Sequence, residues 1–176
     1  MLRNFIYIKD NFLSNEECDT LIKFFKDIPD KINFKVGNYE GVFLKDDSPY
    51  LKDNKLSFLK NRFQNEIDEY VKIYPELNFV CDPFYLTEIR FKHWRNNDFY
   101  DKWHSEHGKE TPNRILNFMI YLSTHKCGTQ FLDKRFIKSE KGKLVIMPSY
   151  FTHTHRGMPC PEKKDRYMMG GYFSFK

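Results

Sequence analysis

Two short segments of the sequence concentrate side chains that can bind a metal ion. The first is segment 103–107, Trp-His-Ser-Glu-His, and the second, further along the chain, is segment 153–157, His-Thr-His-Arg-Gly. Residues i and i+2 of a strand point to the same side. If both segments are strands, His104 and Glu106 converge, His107 points away, and the second segment adds another imidazole.

Two imidazoles and one carboxylate are the ligand set typical of non-haem Fe(II), because they leave open coordination positions on the metal. The residues alone leave open which of His153 and His155 completes this set. A zinc hydrolase site is not indicated, because the spacing differs from the helical His-Glu-x-x-His pattern. His93 and His125 lie outside both segments, and we expect them to be ordinary polar surface residues.

The distribution of charge and the spacing of the cysteines indicate which kinds of partner and site the sequence does not favour. The net charge of +5 comes from dispersed lysines rather than from a basic block, so a nucleic-acid partner is not indicated. Four cysteines are widely spaced and contain no Cys-x-x-Cys pair: Cys18, Cys81, Cys127 and Cys160. We expect them to be free thiols, rather than a disulfide framework or a zinc site.

The length of 176 residues fits a single domain spanning 1–176. The longest apolar run, Phe118–Leu122, is much shorter than the roughly 20 residues of a membrane-spanning helix. The first residues show no apolar leader. We therefore expect no membrane association and a cytoplasmic location. The sequence contains no alanine and is rich in Phe, Tyr, Ile, Asn and Lys, which suggests an AT-rich genome such as that of a phage. If a phage encodes the protein, the expected location is the host cytoplasm.

The elements that must position these side chains follow from periodicity and capping. Ser14 and Glu17 form a capping box that predicts a helix ending before Pro29, and an apolar stripe predicts a second helix over about 53–74. We expect these helices to dominate a support region, 1–78. Residues 79–176 form the expected metal-binding barrel core, in which the predicted strands are 84–94, 114–122, 129–132, 135–138, 143–147, 151–156 and 166–175. The predicted fold class is α+β.

Several segments resemble, in order, the 2-oxoglutarate- and Fe(II)-dependent oxygenases, and are most similar to the prolyl 4-hydroxylase-like branch of bacteria and tailed phages. These segments are 11–18, 98–106, 114–122, 128–131, 141–148, 151–157 and 165–167. The resemblance covers nearly the whole chain. It implies a double-stranded β-helix, a jelly-roll or cupin-like barrel, braced by the N-terminal helices.

The resemblance also implies the metal ligands. They are His104, Glu106 and His155, because residues 155–159 match the His-x-Gly-x-Pro pattern of the family. Glu106 stands where Asp is usual, so its longer side chain has to fold back to reach the same metal. A carboxylate at this position argues against a halogenase, in which the position is vacant for a halide.

The cosubstrate residues are implied in the same way. Arg166 corresponds to the basic residue that pairs with the distal carboxylate of 2-oxoglutarate, and Tyr121 corresponds to a tyrosine that hydrogen-bonds the same carboxylate. Trp94 stands where a second cosubstrate tyrosine is expected, so it either contacts the cosubstrate or walls the pocket. Cys127 stands where the first glycine of a Gly-Gly turn is expected from the resemblance to the family.

The implied activity is that of a dioxygenase that hydroxylates a C–H bond, with Fe(II), 2-oxoglutarate and O₂ as cofactors and cosubstrates and ascorbate as a candidate reductant. The expected substrate is a prolyl or other residue in a peptide or protein. The alternatives are a free amino acid or small metabolite, a nucleobase, and a non-catalytic cupin-like binding protein. The sequence does not determine the oligomeric state.

Overall fold

The computed structural model describes residues 3–45, 47–52, 54–80 and 82–175. Helix α1 spans Asn15–Asp27, and its start is the predicted capping box: the Ser14 hydroxyl accepts the backbone N–H of Glu17, whose carboxylate accepts the N–H of Ser14. A short helix α2 spans Pro49–Lys52, and α3 spans Asn54–Ile73. Both predicted helices are therefore confirmed.

Within the described residues, ten strands form two antiparallel sheets. They are β1 (Tyr7–Lys9), β2 (Ile32–Phe34), β3 (Tyr39–Lys45), β4 (Phe84–Trp94), β5 (Arg114–Tyr121), β6 (Gly128–Phe131), β7 (Phe136–Lys138), β8 (Leu144–Pro148), β9 (His155–Gly157) and β10 (Arg166–Phe175). The large sheet has the order β1-β8-β5-β10-β4-β3-β2, and the small sheet has the order β7-β6-β9. The predicted α+β double-stranded β-helix is confirmed, and strands β1 to β3 extend its large sheet.

Successive side chains of the central strands point to opposite faces of the large sheet, and this divides the core into two layers. In β5, Phe118 and Ile120 pack with the helices, whereas Met119 and Tyr121 pack between the two sheets. A strand that is buried on both faces reads as a nearly continuous apolar run, which explains why 118–122 contains no charged residue. The inner face of the large sheet is thereby directed at the small sheet, where the functional side chains lie.

Two predicted strands have a different local structure. Residues Phe151–His153 form a 3₁₀ helix, and strand β9 starts only at His155. The backbone N–H of His153 bonds to the Tyr150 carbonyl, and the Thr154 hydroxyl bonds to the Phe151 carbonyl, so this segment turns instead of extending. Segment 103–107 is also not a strand, although His104 forms an isolated bridge with His155.

Three side-chain expectations were wrong. His93 and His125 are buried, not exposed; the imidazole of His93 lies between the carboxylates of Glu40 and Asp165. Cys127 and Cys160 form a disulfide, because the chain brings their Cα atoms to 4.8 Å across 33 residues of sequence.

Cys18 is a free thiol, as expected, and Cys81 lies outside the described residues. In the part of the chain that the structure describes, no helix is long and apolar enough to cross a membrane.

Candidate metal centre and adjoining cavity

The three predicted metal ligands meet at one point between the two sheets. His104 and His155 exchange two backbone hydrogen bonds, N–H to carbonyl, of 3.0 and 2.9 Å. The backbone N–H of Glu106 bonds to the Ser149 carbonyl, at 3.0 Å. As a result, one ligand atom from each of the three side chains lies within 4.8 Å of the other two.

Both imidazoles present the same nitrogen to this point. Nδ1 of His104 donates to the Lys102 carbonyl, and Nδ1 of His155 donates to the His153 carbonyl, each at 2.9 Å. Such bonds orient a metal-binding imidazole and leave its Nε2 lone pair free. Burial and the neighbouring His104 lower the pKa of His155 to about 4, so this imidazole is neutral near pH 7, as a metal ligand must be.

The two oxygen atoms of the Glu106 carboxylate have different neighbours. Its Oε1 lies 3.5 Å from His104 Nε2 and 4.0 Å from His155 Nε2. Its Oε2 accepts a 2.6 Å hydrogen bond from the Tyr172 hydroxyl and lies 3.5 Å from Nη1 of Arg114. The longer side chain therefore folds back as its position requires, with one oxygen aimed at the imidazoles and the other held by the sheet.

The charge state of Glu106 also suits a metal ligand. Burial alone would raise the pKa of its carboxyl group, but the neighbouring His104 and the positive charge of Lys92 outweigh burial. The pKa therefore lies well below its usual range, and the group is a carboxylate. Two imidazoles and one carboxylate on one side of an open cavity are the donor set that suits Fe(II).

His153 occupies a different environment, although it is as buried as His155. Its Nε2 bonds to the Asn4 carbonyl at 2.8 Å, and its Nδ1 bonds to the Thr152 hydroxyl at 2.9 Å. Both ring nitrogens are therefore engaged away from Glu106. The tertiary structure brings His155, and not His153, to the other two candidate ligands.

Arg166 lies at the start of β10 with only 6 % of its surface exposed. Its Nη1 donates to the Met158 carbonyl at 3.3 Å, and its guanidinium lies 4.6 Å from the centre of the Trp94 ring. Burial lowers its pKa to about 10, still well above neutral pH, so the group stays positively charged. Within the described residues no carboxylate pairs with it, which leaves a buried cation available to an anionic ligand.

Tyr121 and Trp94 line the same cavity as Arg166. The Tyr121 hydroxyl shares a 2.7 Å hydrogen bond with the hydroxyl of Thr129. The indole N–H of Trp94 is buried and has no hydrogen-bond partner among the described residues. A buried donor without a partner is costly, so both the Trp94 N–H and the Arg166 guanidinium favour an acceptor bound in this cavity.

The cavity joins the candidate ligands to Arg166 and has a volume of about 140 Å³, which suits a small molecule. Its floor is the inner face of the large sheet. Alternate residues of each strand point into it: Arg90, Lys92 and Trp94 of β4, Asn117, Met119 and Tyr121 of β5, and Arg166, Met168, Gly170 and Tyr172 of β10. The period of two along each strand thus determines which side chains meet a bound molecule.

Sequence reasoning missed Tyr172, Lys92 and Arg114, which surround Glu106. Tyr172 lies six residues after Arg166 in β10 and therefore on the same face, so strand periodicity could have identified it. Lys92 could have been found from Trp94 in the same way. The contact of Arg114 with Glu106 had no comparable signal, because it depends on the path of the loop between β4 and β5.

Replacing Tyr172 with phenylalanine is expected to weaken Fe(II) binding about tenfold. A hydrogen bond to a charged group contributes roughly 1.5–3 kcal/mol, and loss of a group that orients a metal ligand lowers metal affinity by about 10- to 100-fold. Fe(II) titration of the purified proteins measures this effect. Tyr100→Phe is the matched control, because it removes a hydroxyl from the same cavity and leaves the bond to Glu106 in place. Equal Fe(II) affinity of Tyr172→Phe and the parent protein would contradict this positioning role.

Comparison with known proteins gives a family match. Residues 89–174 match the model of the 2OG-Fe(II) oxygenase superfamily, and this range contains His104, Glu106, His155 and Arg166. A comparison with curated protein sequences gives no match.

Solved structures share the fold over almost the whole chain. A viral collagen prolyl hydroxylase from Paramecium Bursaria Chlorella virus-1, in complex with 2-oxoglutarate, has 18 % identity and a TM-score of 0.69, with 98 % of this chain and 97 % of that chain covered. A Pseudomonas putida prolyl-4-hydroxylase has 12 % identity and a TM-score of 0.70, with 97 % and 92 % covered. A Trichoplax adhaerens prolyl hydroxylase, in complex with a hypoxia inducible factor peptide fragment, has 11 % identity and a TM-score of 0.66, with 98 % and 84 % covered.

The family match and the fold agree with the cavity between the sheets, where two imidazoles, a carboxylate and a buried arginine meet. The cofactors of this superfamily are Fe(II), 2-oxoglutarate and O₂. Residues 89–174 match the superfamily model, and the chain is a 2-oxoglutarate-dependent dioxygenase with a prolyl 4-hydroxylase-like fold.

Proposed function

We propose that this dioxygenase hydroxylates a prolyl or other residue of a peptide or protein, with Fe(II) held by His104, Glu106 and His155. The convergence of their three ligand atoms supports this assignment. In this assignment Nε2 of each histidine and Oε1 of Glu106 face the metal, while Tyr172 and the backbone carbonyls keep these side chains in place.

We also propose that Arg166, Tyr121 and Trp94 bind 2-oxoglutarate. The charged guanidinium can pair with the distal carboxylate in a bidentate manner, and the Tyr121 hydroxyl and the Trp94 N–H can donate further hydrogen bonds. The stacking of Arg166 on the Trp94 ring holds the guanidinium in one orientation. In this proposal the other end of the dicarboxylate faces the metal ligands.

When bound, Fe(II) and 2-oxoglutarate supply the oxidising chemistry with O₂, and succinate and CO₂ are the products implied by the family resemblance. The chain itself contributes binding and orientation. Glu106 stays ionised, His155 stays neutral, and the walls of the cavity exclude water. The buried faces of Tyr121, Met119 and Met168 supply these walls.

The assignment of a peptide substrate rests on one observation, an aromatic rim beside the metal ligands. Trp103 directly precedes His104 and is 39 % exposed, and the Arg156 guanidinium lies 4.4 Å from the centre of its ring. The Tyr100 ring lies 4.6 Å from the ring of His104. Proline-rich segments dock against aromatic-lined grooves. Two of the structural neighbours also support a peptide substrate: one is named a collagen prolyl hydroxylase, and the other is a prolyl hydroxylase in complex with a peptide fragment.

We propose further that residues 1–176 form one oxygenase domain. The support is that solved structures match 97–98 % of the chain, including the helices that precede the family match. The cytoplasmic location stays a prediction from the sequence.

The test is succinate release from 2-oxoglutarate with Fe(II), run against proline-rich peptides, the same peptides with alanine in place of proline, free amino acids and methylated oligonucleotides. We expect a mass gain of one oxygen atom on a proline-containing peptide. Modification of free amino acids or oligonucleotides alone would contradict the peptide assignment, and absence of 2-oxoglutarate turnover with every substrate would favour a binding protein.

Trp103→Ala separates substrate binding from cosubstrate binding in this assay. Loss of an aromatic contact costs roughly 0.5–1.5 kcal/mol beyond the buried area, so we expect the peptide KM to rise about threefold to tenfold. The KM for 2-oxoglutarate should be unchanged, because Trp103 lies outside the cavity of Arg166. An unchanged peptide KM would remove Trp103 from the substrate site.

A further inference from the structure

A second group of side chains that can bind a metal lies beside Arg166, which lines the cavity. Ligand atoms of His125, Cys160 and Glu162 lie within 4.8 Å of one another, and Cys127 is bonded to Cys160. The four residues come as two i, i+2 pairs, His125 with Cys127 and Cys160 with Glu162. None of them belongs to the iron site proposed above.

The imidazole of His125 points to a ligand independently of the cysteines. Only 3 % of this residue is exposed. Its Nε2 bonds to the Ser123 hydroxyl at 3.0 Å, whereas its Nδ1 is buried without a hydrogen-bond partner among the described residues. A buried imidazole with one nitrogen oriented by a hydroxyl and the other unpartnered is the arrangement found in metal sites.

The other donors are also suited to a metal. Cys127 and Cys160 are 2 % and 3 % exposed, so their sulfur atoms are shielded from solvent. The Glu162 carboxylate accepts the backbone N–H of Lys126, at 2.9 Å, which orients it and leaves lone pairs available. Nη1 of Arg166 lies 3.3 and 3.6 Å from the two sulfur atoms, where its charge would stabilise thiolates.

We propose that His125, Cys127, Cys160 and Glu162 form a zinc-binding site once the disulfide is reduced, so that the disulfide and the zinc-bound dithiolate are alternative states of one pair of cysteines. Two thiolates, an imidazole and a carboxylate complete a tetrahedral set suited to Zn²⁺. In the reduction, a dithiol reductant is oxidised to its own disulfide, and its two electrons and two protons convert the S–S bond to two thiols. Zinc then displaces the two thiol protons to solvent.

Cobalt(II) is the probe, because thiolate ligands give it a strong charge-transfer absorption in the near ultraviolet. The full chain is reduced with a phosphine, which converts the disulfide to two thiols while taking one oxygen atom from water to form the phosphine oxide. Cobalt is then added, and zinc is titrated against it. We expect one thiolate-bound cobalt per chain, displaced by one zinc, and no such band before reduction. The iron site contains no sulfur ligand, so it cannot produce this band.

Three variants assign the site. Cys160→Ser should lose the band, whereas Cys18→Ser, which removes a buried thiol in α1, should keep it. Glu162→Gln keeps both thiolates and alters a partly exposed side chain, so it should fold normally and weaken zinc binding tenfold or more. The proposal is overturned if the reduced parent protein shows no thiolate–cobalt band, if Cys160→Ser keeps the band, or if Glu162→Gln binds zinc as tightly as the parent.

Discussion

Replacing His155 with alanine is expected to abolish stoichiometric Fe(II) binding and, with it, 2-oxoglutarate turnover. Nε2 of His155 faces Glu106 Oε1, while its Nδ1 is held by the His153 carbonyl. Loss of one of the three candidate ligands removes a third of the donor set, and the remaining pair no longer defines the face of an octahedron. His104→Ala should have the same effect for the same reason. Iron content after Fe(II) loading and desalting, with succinate formation alongside, measures the result.

The control is His153→Ala, which removes an equally buried imidazole two residues away. Both nitrogens of His153 are bonded to other groups, so iron binding should persist while thermal stability falls. The opposite pattern, with iron lost in His153→Ala and kept in His155→Ala, would show that the two histidines exchange roles in solution. It would also require the 3₁₀ helix Phe151–His153 to rearrange.

Replacing Arg166 with alanine is expected to raise the KM for 2-oxoglutarate by about 10- to 100-fold. A charge-assisted hydrogen bond contributes roughly 1.5–3 kcal/mol, and each 1.4 kcal/mol corresponds to about a tenfold change in affinity. Arg166→Lys should fall between the parent and the alanine variant, because lysine keeps the charge but not the planar fork. Iron content should be unchanged in both, because Arg166 is not among the candidate ligands. Succinate formation as a function of 2-oxoglutarate concentration provides the three KM values.

An unchanged KM in Arg166→Ala would mean that another cation binds the cosubstrate. The other cations near the cavity differ in whether they are already paired with another side chain. Arg114 is engaged with the carboxylates of Glu106 and Glu88, and Arg156 bonds to the Gln130 side chain. Lys92 lines the same cavity, so Lys92→Met is the variant to test next.

Much of the fold follows from interactions between residues close in sequence. The capping box at Ser14 involves residues three positions apart, and the apolar stripe of α3 repeats within each turn, so both can be identified without the rest of the chain. The strands β4, β5 and β10 have the composition and period of buried strands. The candidate ligand types are also visible in the sequence, because few side chains suit Fe(II) and they occur in two short segments.

The arrangement of the site depends on contacts between residues that are distant in sequence. Segment 103–107 does not form the strand that was expected to bring His104 and Glu106 together; the pair converges because backbone bonds to His155 and Ser149 hold the loop in place. The partner of Glu106, Tyr172, is 66 residues away. Likewise, the pairing of Cys127 with Cys160 depends on the loop after β9 folding back onto the start of β6. Local sequence patterns determine elements and ligand types, whereas the tertiary packing of strands and loops determines which atoms face the metal, because that requires the whole sheet to be assembled.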